Sequence, residues 1–236
     1  MKRLFSIPGL RWRGRIKQFE TEVYEGWADS VDRSIWAPWC NRWVKSFAKE
    51  IPEGSTILDV GCGTGSALLV LAERHPVLLA GVDISPKAIA VARGKLSCLR
   101  ANLWAGDAET GLPWPEETFD VVTMTAVIHH FPDPEKVLPH IARVLKPAGR
   151  LIIAEPHFLF PILQIANLLL KIYPLNGDLH FFSLRGLRRL LARCRFQTVA
   201  HRHAAFFARY TVARRCDSSP AKNRLSPRPQ GGETSG

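Results

Sequence analysis

Short apolar runs alternate along this chain with longer segments in which apolar residues recur at helical spacing. The runs cover residues 57–60, 78–83, 120–125 and 151–154. Continuous apolar runs bounded by turn residues are typical of buried strands, and helices between such strands are typical of a parallel sheet. The pattern predicts a single α/β domain whose ligand would lie outside the carboxyl ends of the strands.

Helices are predicted at residues 67–72, 133–145 and 183–193, where polar and apolar positions follow a helical period. Proline and glycine are expected to stop the second of these helices at residues 147–149 and to return the chain to a strand at 151. The turn residues therefore predict a short loop between this helix and the strand.

The first strand ends in a loop with three glycines spaced two apart, Gly61, Gly63 and Gly65. Glycine is needed where the backbone approaches a ligand closely or takes a positive φ, and the N–H groups of such a turn point above the strand end. A dinucleotide-binding loop would place its third glycine at position 66, which is Ser66 here. The loop predicts a nucleotide-like ligand, although the same glycines could merely close a tight turn.

Two later apolar segments also end in a carboxylate. Asp83 follows the second strand, and a carboxylate there can accept hydrogen bonds from both hydroxyls of a ribose. Asp107 follows the next segment along the chain. Either residue could instead be a helix N-cap, since Asp83 stands just before Ser85 and Pro86.

Taken together, the motifs resemble the class I S-adenosylmethionine-dependent methyltransferases, over residues 40–212. The resemblance rests on an acid two positions before three alternating glycines, on Asp107 followed by Ala108, and on the segments 119–122, 129–131 and 143–151. The last segments are similar to the type 11 branch, which contains the ubiquinone and menaquinone biosynthesis methyltransferases. Ala148 departs from the branch, which usually has a second glycine there, and this affects turn geometry.

The resemblance implies a doubly wound, Rossmann-like fold with a seven-stranded sheet, in which strands at 196–201 and 206–213 form an antiparallel edge hairpin. It also implies S-adenosylmethionine as the cofactor, with the glycine loop and its threonine at the methionyl part, Asp83 at the ribose, and Asp107 with Ala108 at the adenine. The residues implied to contact the cofactor are Asp59, Gly61, Gly63, Thr64, Gly65, Asp83, Ile84, Asp107, Ala108 and Thr125.

His129 and His130 are the candidate catalytic residues, because a histidine can take a proton from an acceptor near neutral pH. Neighbouring side chains point in different directions, so we expect at most one of them to face the cofactor. Displacement at a sulfonium has a good leaving group, so proximity can supply most of the rate without a base. Glu155 and His157, directly after the fifth strand, are also expected at the rim of the site.

The expected acceptor is a small hydrophobic molecule. The apolar run 158–170 is too short to span a membrane, and it predicts either a buried crossover helix or a cover over the acceptor pocket. The aromatic residues between 19 and 43 could form the opposite wall or simply pack on the sheet. These aromatic residues are Tyr24, Trp27, Trp36, Trp39 and Trp43.

The same residues also bear on three other functions. The basic ends favour an RNA methyltransferase, but residues 123–126 lack the Asn/Asp-Pro-Pro-aromatic signature of amino-group nucleic-acid enzymes. Ser66 and the pair Asp107 and Ala108 disfavour a nicotinamide oxidoreductase. A binding module that holds S-adenosylmethionine without turnover stays open, because cofactor residues alone do not prove an acceptor site.

Charge is distributed unevenly in this chain of 236 residues with a net charge of +11. Residues 1–20 hold six Lys/Arg and one acid, and residues 185–236 hold twelve Lys/Arg and two acids. Basic ends suit an anionic membrane or nucleic acid, or form a solvated face. We predict a basic extension at 1–20, a methyltransferase domain at 21–213 and a disordered tail at 214–236.

The five cysteines include no C-x-x-C pair and no spacing of zinc ligands, so no metal site is predicted. The first residues lack the apolar core of a secretory signal. We therefore expect a cytoplasmic protein with reduced thiols, with weak peripheral contact to an anionic membrane as a second interaction. The sequence carries no signal for a particular oligomeric state, and nucleic acid is the less favoured partner.

Overall fold

The computed structural model describes residues 22, 25–26, 28, 32, 37–157, 162–172, 181–205 and 208–216. The predicted basic extension and nearly all of the predicted tail lie outside these residues. So do Tyr24, Trp27 and Trp36 of the expected aromatic wall, whereas Trp39 and Trp43 lie on the first helix. Within the described residues, every helix is too short or too polar to cross a bilayer.

Six α-helices and seven strands are described, together with one 3₁₀ turn at Ile128–His130. In chain order they are α1 (Ala37–Ala48), β1 (Thr56–Val60), α2 (Ser66–Ala72), β2 (Leu78–Asp83), α3 (Pro86–Lys95), β3 (Ala101–Ala105), β4 (Phe119–Thr125), α4 (Pro134–Val144), β5 (Leu145–Pro156), α5 (Ile162–Ile172), α6 (Leu184–Arg193), β6 (Phe196–Ala205) and β7 (Ala208–Arg215).

The strands form one sheet in the order β3-β2-β1-β4-β5-β7-β6. Strands β1 to β5 run parallel to one another. Strand β7 is antiparallel to both β5 and β6. The predicted seven-stranded sheet and its antiparallel edge are confirmed. The order reverses between β1 and β4, and ligands of such sheets bind at the crevice that this reversal opens.

Both faces of the sheet are covered, which explains why its strands are continuous apolar runs. On β5, Leu151 and Ile153 pack with helices α4 and α6 on one face. Their neighbours Ile152 and Ala154 pack with α1 and α2 on the other face. Side chains alternate along a strand, so every position of a doubly covered strand has to be apolar.

The start of β5 differs from the prediction. The strand begins at Leu145, directly after α4, and its register on β4 shifts between the pairs Phe119 with Leu145 and Val121 with Arg150. The residues expected to form a loop are thus an irregularity inside the strand. Lys146 holds this irregularity in place, because its Nζ donates to both carboxylate oxygens of Asp120 at 2.9 and 2.8 Å.

The hairpin at the sheet edge extends beyond its predicted ends. β6 continues to Ala205 and β7 continues to Arg215, where the predictions ended at 201 and 213. Residues 206 and 207, the predicted start of the last strand, lie outside the described residues.

A buried carboxylate joins two central strands beneath the glycine loop. Asp59 of β1 is 1% exposed and lies opposite Thr123 of β4, whose Oγ1 donates to Asp59 Oδ1 at 2.7 Å. Burial raises the pKa of Asp59 to about 7; the bond from Thr123 opposes this rise, and the charge of Asp83 adds to it. The carboxyl group is therefore held within the sheet at a cost that depends on pH.

This burial predicts that stability falls as the pH rises between about 4 and 7. In this range the unfolded chain ionises Asp59, whose ordinary pKa is 3.8, while the folded chain keeps it protonated. The stabilisation is complete below the unfolded pKa and is lost as the pH rises through the folded pKa, at up to about 1.4 kcal/mol per pH unit.

Asp59→Asn keeps an acceptor for Thr123 and cannot ionise, so it should remove this component of the pH slope. Urea unfolding of the two proteins from pH 4 to 7.5 measures the difference, because all other titrating groups are common to both. Parallel curves of unfolding free energy against pH would show that Asp59 titrates normally.

Candidate active site

A cavity of about 170 Å³ lies at the carboxyl ends of β1, β2 and β4, where the strand order reverses. Eight of the residues predicted from the sequence meet in its wall: Gly61, Gly63, Thr64, Asp83, Ile84, Asp107, Ala108 and His130. They come from four separate segments of the chain. The fold thus brings most of the predicted site residues to one place.

The glycine loop is shaped by close approach of the Val127 side chain, which follows β4. Gly61 has a φ of +74°, and a Cβ there would stand 2.2 Å from Cγ2 of Val127. Gly63 has a φ of +51° with no heavy atom of the described residues within 4 Å of its missing Cβ, so the described part of the chain leaves this side of the loop open. The first glycine is needed for packing against the turn after β4, and the second leaves room for a ligand.

Asp83 holds the loop from below. Its Oδ2 accepts from the Gly63 N–H at 2.8 Å, and its Oδ1 accepts from the Ser85 N–H at 2.9 Å. Burial raises the pKa of this carboxyl group, and the two backbone bonds oppose that rise. Each oxygen has two lone pairs, so both retain capacity to accept a further hydrogen bond.

The alternative that Asp83 or Asp107 caps a helix is wrong. Ser85 is the N-cap of α3, where its Oγ accepts from the Ala88 N–H at 3.1 Å. No helix starts after Asp107, because the fully described segment between β3 and β4 contains none. Asp107 instead shapes a turn, its Oδ1 accepting from the Glu109 N–H at 2.9 Å.

Four residues expected in the site are absent from the cavity wall: Asp59, Gly65, Thr125 and His129. Asp59 is bonded to Thr123 inside the sheet. Gly65 begins α2, with its missing Cβ 3.0 Å from Leu96, so this glycine permits helix packing. The Oγ1 of Thr125 is buried without a hydrogen-bond partner in the described part of the chain. Contacts of Asp59, Gly65 and Thr125 with the cofactor stay predictions to which this cavity wall gives no support, because a position near a strand end does not fix where the side chain points.

His129 also lies away from the cavity wall, and its contact with Glu155 explains this position. The His129 ring is 4% exposed, and its Nδ1 contacts Oε2 of Glu155. Oε1 of Glu155 accepts from the N–H groups of Val127 and Ile128 at 2.9 and 3.1 Å. Glu155 therefore fixes the 3₁₀ turn, and His129 has a positioning role within it.

His130 is the histidine that reaches the cavity. Its ring packs against the ring of His129 with centroids 4.1 Å apart, while the ring of His129 packs against Phe181 at 5.2 Å. As expected, only one of the two histidines lines the cavity, although their rings are in contact. Glu155, through His129 and the backbone of the turn, sets the position of His130.

Two residues of the site had no signal in the sequence. Ala28 lines the cavity, and Asp32 binds the glycine loop, its Oδ1 accepting from Oγ1 of Thr64 at 2.7 Å and from Oγ of Ser66 at 2.6 Å. Its Oδ2 accepts from Nζ of Lys95 at 2.5 Å. Partial burial opposes ionisation, but the bonds from Lys95, Ser66 and Thr64 hold the pKa of Asp32 below its ordinary value.

Comparisons with known proteins identify the family. A family profile described as a methyltransferase domain matches residues 58–153. A demethylmenaquinone methyltransferase of Thermus thermophilus is 38% identical over 120 residues, which are 50% of this chain and 53% of that protein. The ubiquinone/menaquinone biosynthesis C-methyltransferase UbiE of Geobacter sulfurreducens is 31% identical over 193 residues, which are 70% of this chain and 74% of that protein. The chain thus spans from about half to three quarters of these relatives.

Solved structures share the fold. A Haloferax volcanii chain from a complex with the Trm112 methyltransferase activator has a TM-score of 0.71 at 19% identity, covering 81% of this chain and 96% of that one. A SAM-dependent methyltransferase from Aquifex aeolicus has a TM-score of 0.60 at 20% identity, covering 85% and 97%. These likenesses show the fold alone, and the sequence matches supply the rest: the chain belongs to the class I S-adenosylmethionine-dependent methyltransferases, in a branch similar to the ubiquinone and menaquinone enzymes.

Proposed function

We propose that this protein transfers the methyl group of S-adenosylmethionine to a small hydrophobic molecule. One observation carries the proposal: the open side of the glycine loop, the Asp83 carboxylate and the turn at Asp107 line a single cavity. The residues fit the cofactor, because the space beside Gly63 is free and Asp83 keeps lone pairs for ribose hydroxyls. The loop would hold the methionyl part, and Asp107 with Ala108 would hold the adenine.

The chain's own residues would orient the reactants. When bound, S-adenosylmethionine would supply an electrophilic methyl carbon; an acceptor atom would attack this carbon in line with its bond to sulfur, and S-adenosylhomocysteine would leave. His130 lies in the cavity wall after β4, where a neutral imidazole can take the proton that an oxygen or nitrogen acceptor releases. The loop and the turn fix the reacting groups relative to each other, and such orientation supplies much of the rate.

Apolar side chains support a hydrophobic acceptor. Ala126, Val127, Phe131 and Pro132 line the cavity beside His130. Relatives are named for demethylmenaquinone, for ubiquinone and menaquinone biosynthesis and for 2-methyl-6-phytyl-1,4-hydroquinone, all of them quinone-type compounds. A molecule of comparable polarity fits the wall of this cavity.

Binding of the cofactor tests the proposal. We expect S-adenosylmethionine and its demethylated product to bind with dissociation constants on the order of micromolar or lower, and NAD not to bind. Calorimetric titration measures the affinities, and a separate assay with radiolabelled methyl groups and cell-extract acceptors measures turnover. Tight NAD binding without heat from S-adenosylmethionine would refute the cofactor; cofactor binding with no product in any extract would instead favour a non-catalytic module.

Replacing Asp83 by Ala should weaken cofactor binding by about 1.5 to 3 kcal/mol, the usual range for a hydrogen bond to a charged group. Asp107→Ala should cause a smaller loss through the adenine amine. Glu116→Ala is the control, because Glu116 is an exposed acid outside the cavity wall. Normal affinity in Asp83→Ala would mean that this carboxylate only holds the loop.

We also propose a cytoplasmic location with weak attachment to an anionic membrane. The five cysteines are free thiols, which suits a reducing compartment. Helix α5 exposes three apolar side chains spaced three residues apart, Ile162, Ile165 and Leu168, which are 56%, 56% and 59% exposed. An apolar stripe of this kind, together with basic ends, suits a lipid surface.

Vesicle sedimentation tests this attachment. Each basic side chain near an anionic surface contributes about 1 kcal/mol, screened beyond about 10 Å at moderate salt. Anionic vesicles should therefore retain the protein at low salt and release it at high salt, and neutral vesicles should not retain it. Deleting residues 1–17 should reduce retention and leave the affinity for S-adenosylmethionine unchanged. If anionic vesicles fail to retain the full chain even at low salt, the basic charge is only a solvated face.

A further inference from the structure

Several basic side chains lie near the carboxyl end of β5 and on the neighbouring strands β7 and β6. These strands are on the side of β4 away from the glycine loop. His157 directly follows β5, while His201 and His203 lie on β6 and Arg209 lies at the start of β7. Strands β5 and β6 run in the same direction, and β7 runs against both. These positions therefore lie at the same end of the sheet, where β5 and β6 end and β7 begins. We call these four residues the basic cluster.

The strand register places three members of the cluster, His201, His203 and Arg209, on one face. Arg209 lies opposite Glu155 of β5 and opposite His203 of β6. Residues directly opposite in an antiparallel pair point to the same face with Cβ atoms about 4.5 to 5.5 Å apart. His201 is two residues before His203, and its Nδ1 lies 2.9 Å from Oγ1 of Thr211. Glu155 has the same parity as Ile153, so this is the face covered by α4 and α6.

The acid opposite Arg209 does not supply the hydrogen-bond partner that this arginine lacks within the described part of the chain. Both oxygens of Glu155 are already engaged, one by two backbone N–H groups and the other by His129. Nε of Arg209 is buried and has no hydrogen-bond partner within the described part of the chain. A buried donor without an acceptor is costly, so the arrangement favours an anion as its missing partner.

The pKa values of two histidines are lowered here, so both imidazoles favour the neutral form, in which one ring nitrogen can donate a hydrogen bond. Partial burial and the charges of Arg209, His203 and His201 lower the pKa of His157. Burial, Arg188 of α6 and Arg209 lower the pKa of His201. A ligand that brought a negative charge would relieve this repulsion.

We propose that the basic cluster binds a carboxylate of the acceptor molecule, while the methyl-accepting atom of the same molecule lies near His130. The guanidinium of Arg209 matches a carboxylate, which it can bind with two parallel N–H bonds. Glu155 links the two places, because it lies opposite Arg209 and also holds the turn that carries His130. The acceptor is thus a small apolar acid.

A polyanion such as RNA is a poorer occupant of this cluster. Thr211, which holds His201, is 2% exposed, and the Nε of Arg209 is buried. A phosphate backbone needs an exposed track of charges, whereas a single carboxylate can enter a half-buried site. The inference rests on the proposed function, since it assigns the acceptor of that same site.

Two probes of the same shape test the charge requirement, 2-naphthoate and its uncharged analogue 2-naphthamide. We expect the full chain, saturated with S-adenosylhomocysteine, to bind naphthoate about tenfold or more tightly than naphthamide in a calorimetric titration. Equal affinities, or binding of neither probe, would overturn the proposal. The heat of S-adenosylmethionine binding, measured first, separates this failure from failure of the cofactor site.

Arg209→Gln should abolish the preference for naphthoate and leave the affinity for S-adenosylmethionine within about twofold of the parent protein. Arg214→Gln is the matched control, because Arg214 is an exposed arginine near the other end of the same strand. His203→Gln, at an exposed position, gives a second test if Arg209→Gln does not fold, and it should reduce the preference about threefold. A preference unchanged in both folded variants, or displacement of naphthoate by a 20-nucleotide RNA at equal concentration, would contradict a carboxylate site.

Discussion

The close approach of the glycine loop to the turn after β4 is the contact on which the site depends. With a side chain at Gly61, the loop would overlap Val127, and the two walls of the cavity would separate. The loop also needs the second strand, because the Gly61 and Cys62 N–H groups donate to the Val82 carbonyl and Asp83 accepts from Gly63. Three adjacent strands therefore define the cradle: β1 leads into the loop, β2 holds the loop through Val82 and Asp83, and β4 leads into the turn that packs on it.

Much of the fold follows from local periodicity. Continuous apolar runs that are covered on both faces are typical of a parallel sheet, so the strands near residues 57, 78 and 120 can be predicted from the sequence alone. The start of β5 cannot be predicted in this way. Its irregular residues are held by Lys146 across to Asp120, a contact between positions far apart in the chain, and proline and glycine there look like an ordinary loop.

The site residues also fall into those that the sequence alone indicates and those that depend on tertiary contacts. Glycines with positive φ and carboxylates at strand ends carry local signals, which is why Gly63, Asp83 and Asp107 were found. Side-chain direction is set by packing, so the sequence could not show that His129 turns towards Glu155 or that Thr125 lies outside the cavity wall. Asp32 gave no signal at all, because its partners Thr64 and Lys95 are 32 and 63 residues away.

The bonds of Asp32 have a consequence for how this enzyme family can change. One carboxylate joins the N-terminal segment to the first residue of α2, Ser66, and to the last residue of α3, Lys95. A relative that exchanged its N-terminal segment for one without an acid here would leave an ammonium group facing two hydroxyls beside the nucleotide site. The N-terminal segment is therefore tied through Asp32 to one end of each of two helices, so a change of this acid calls for a matching change at Lys95.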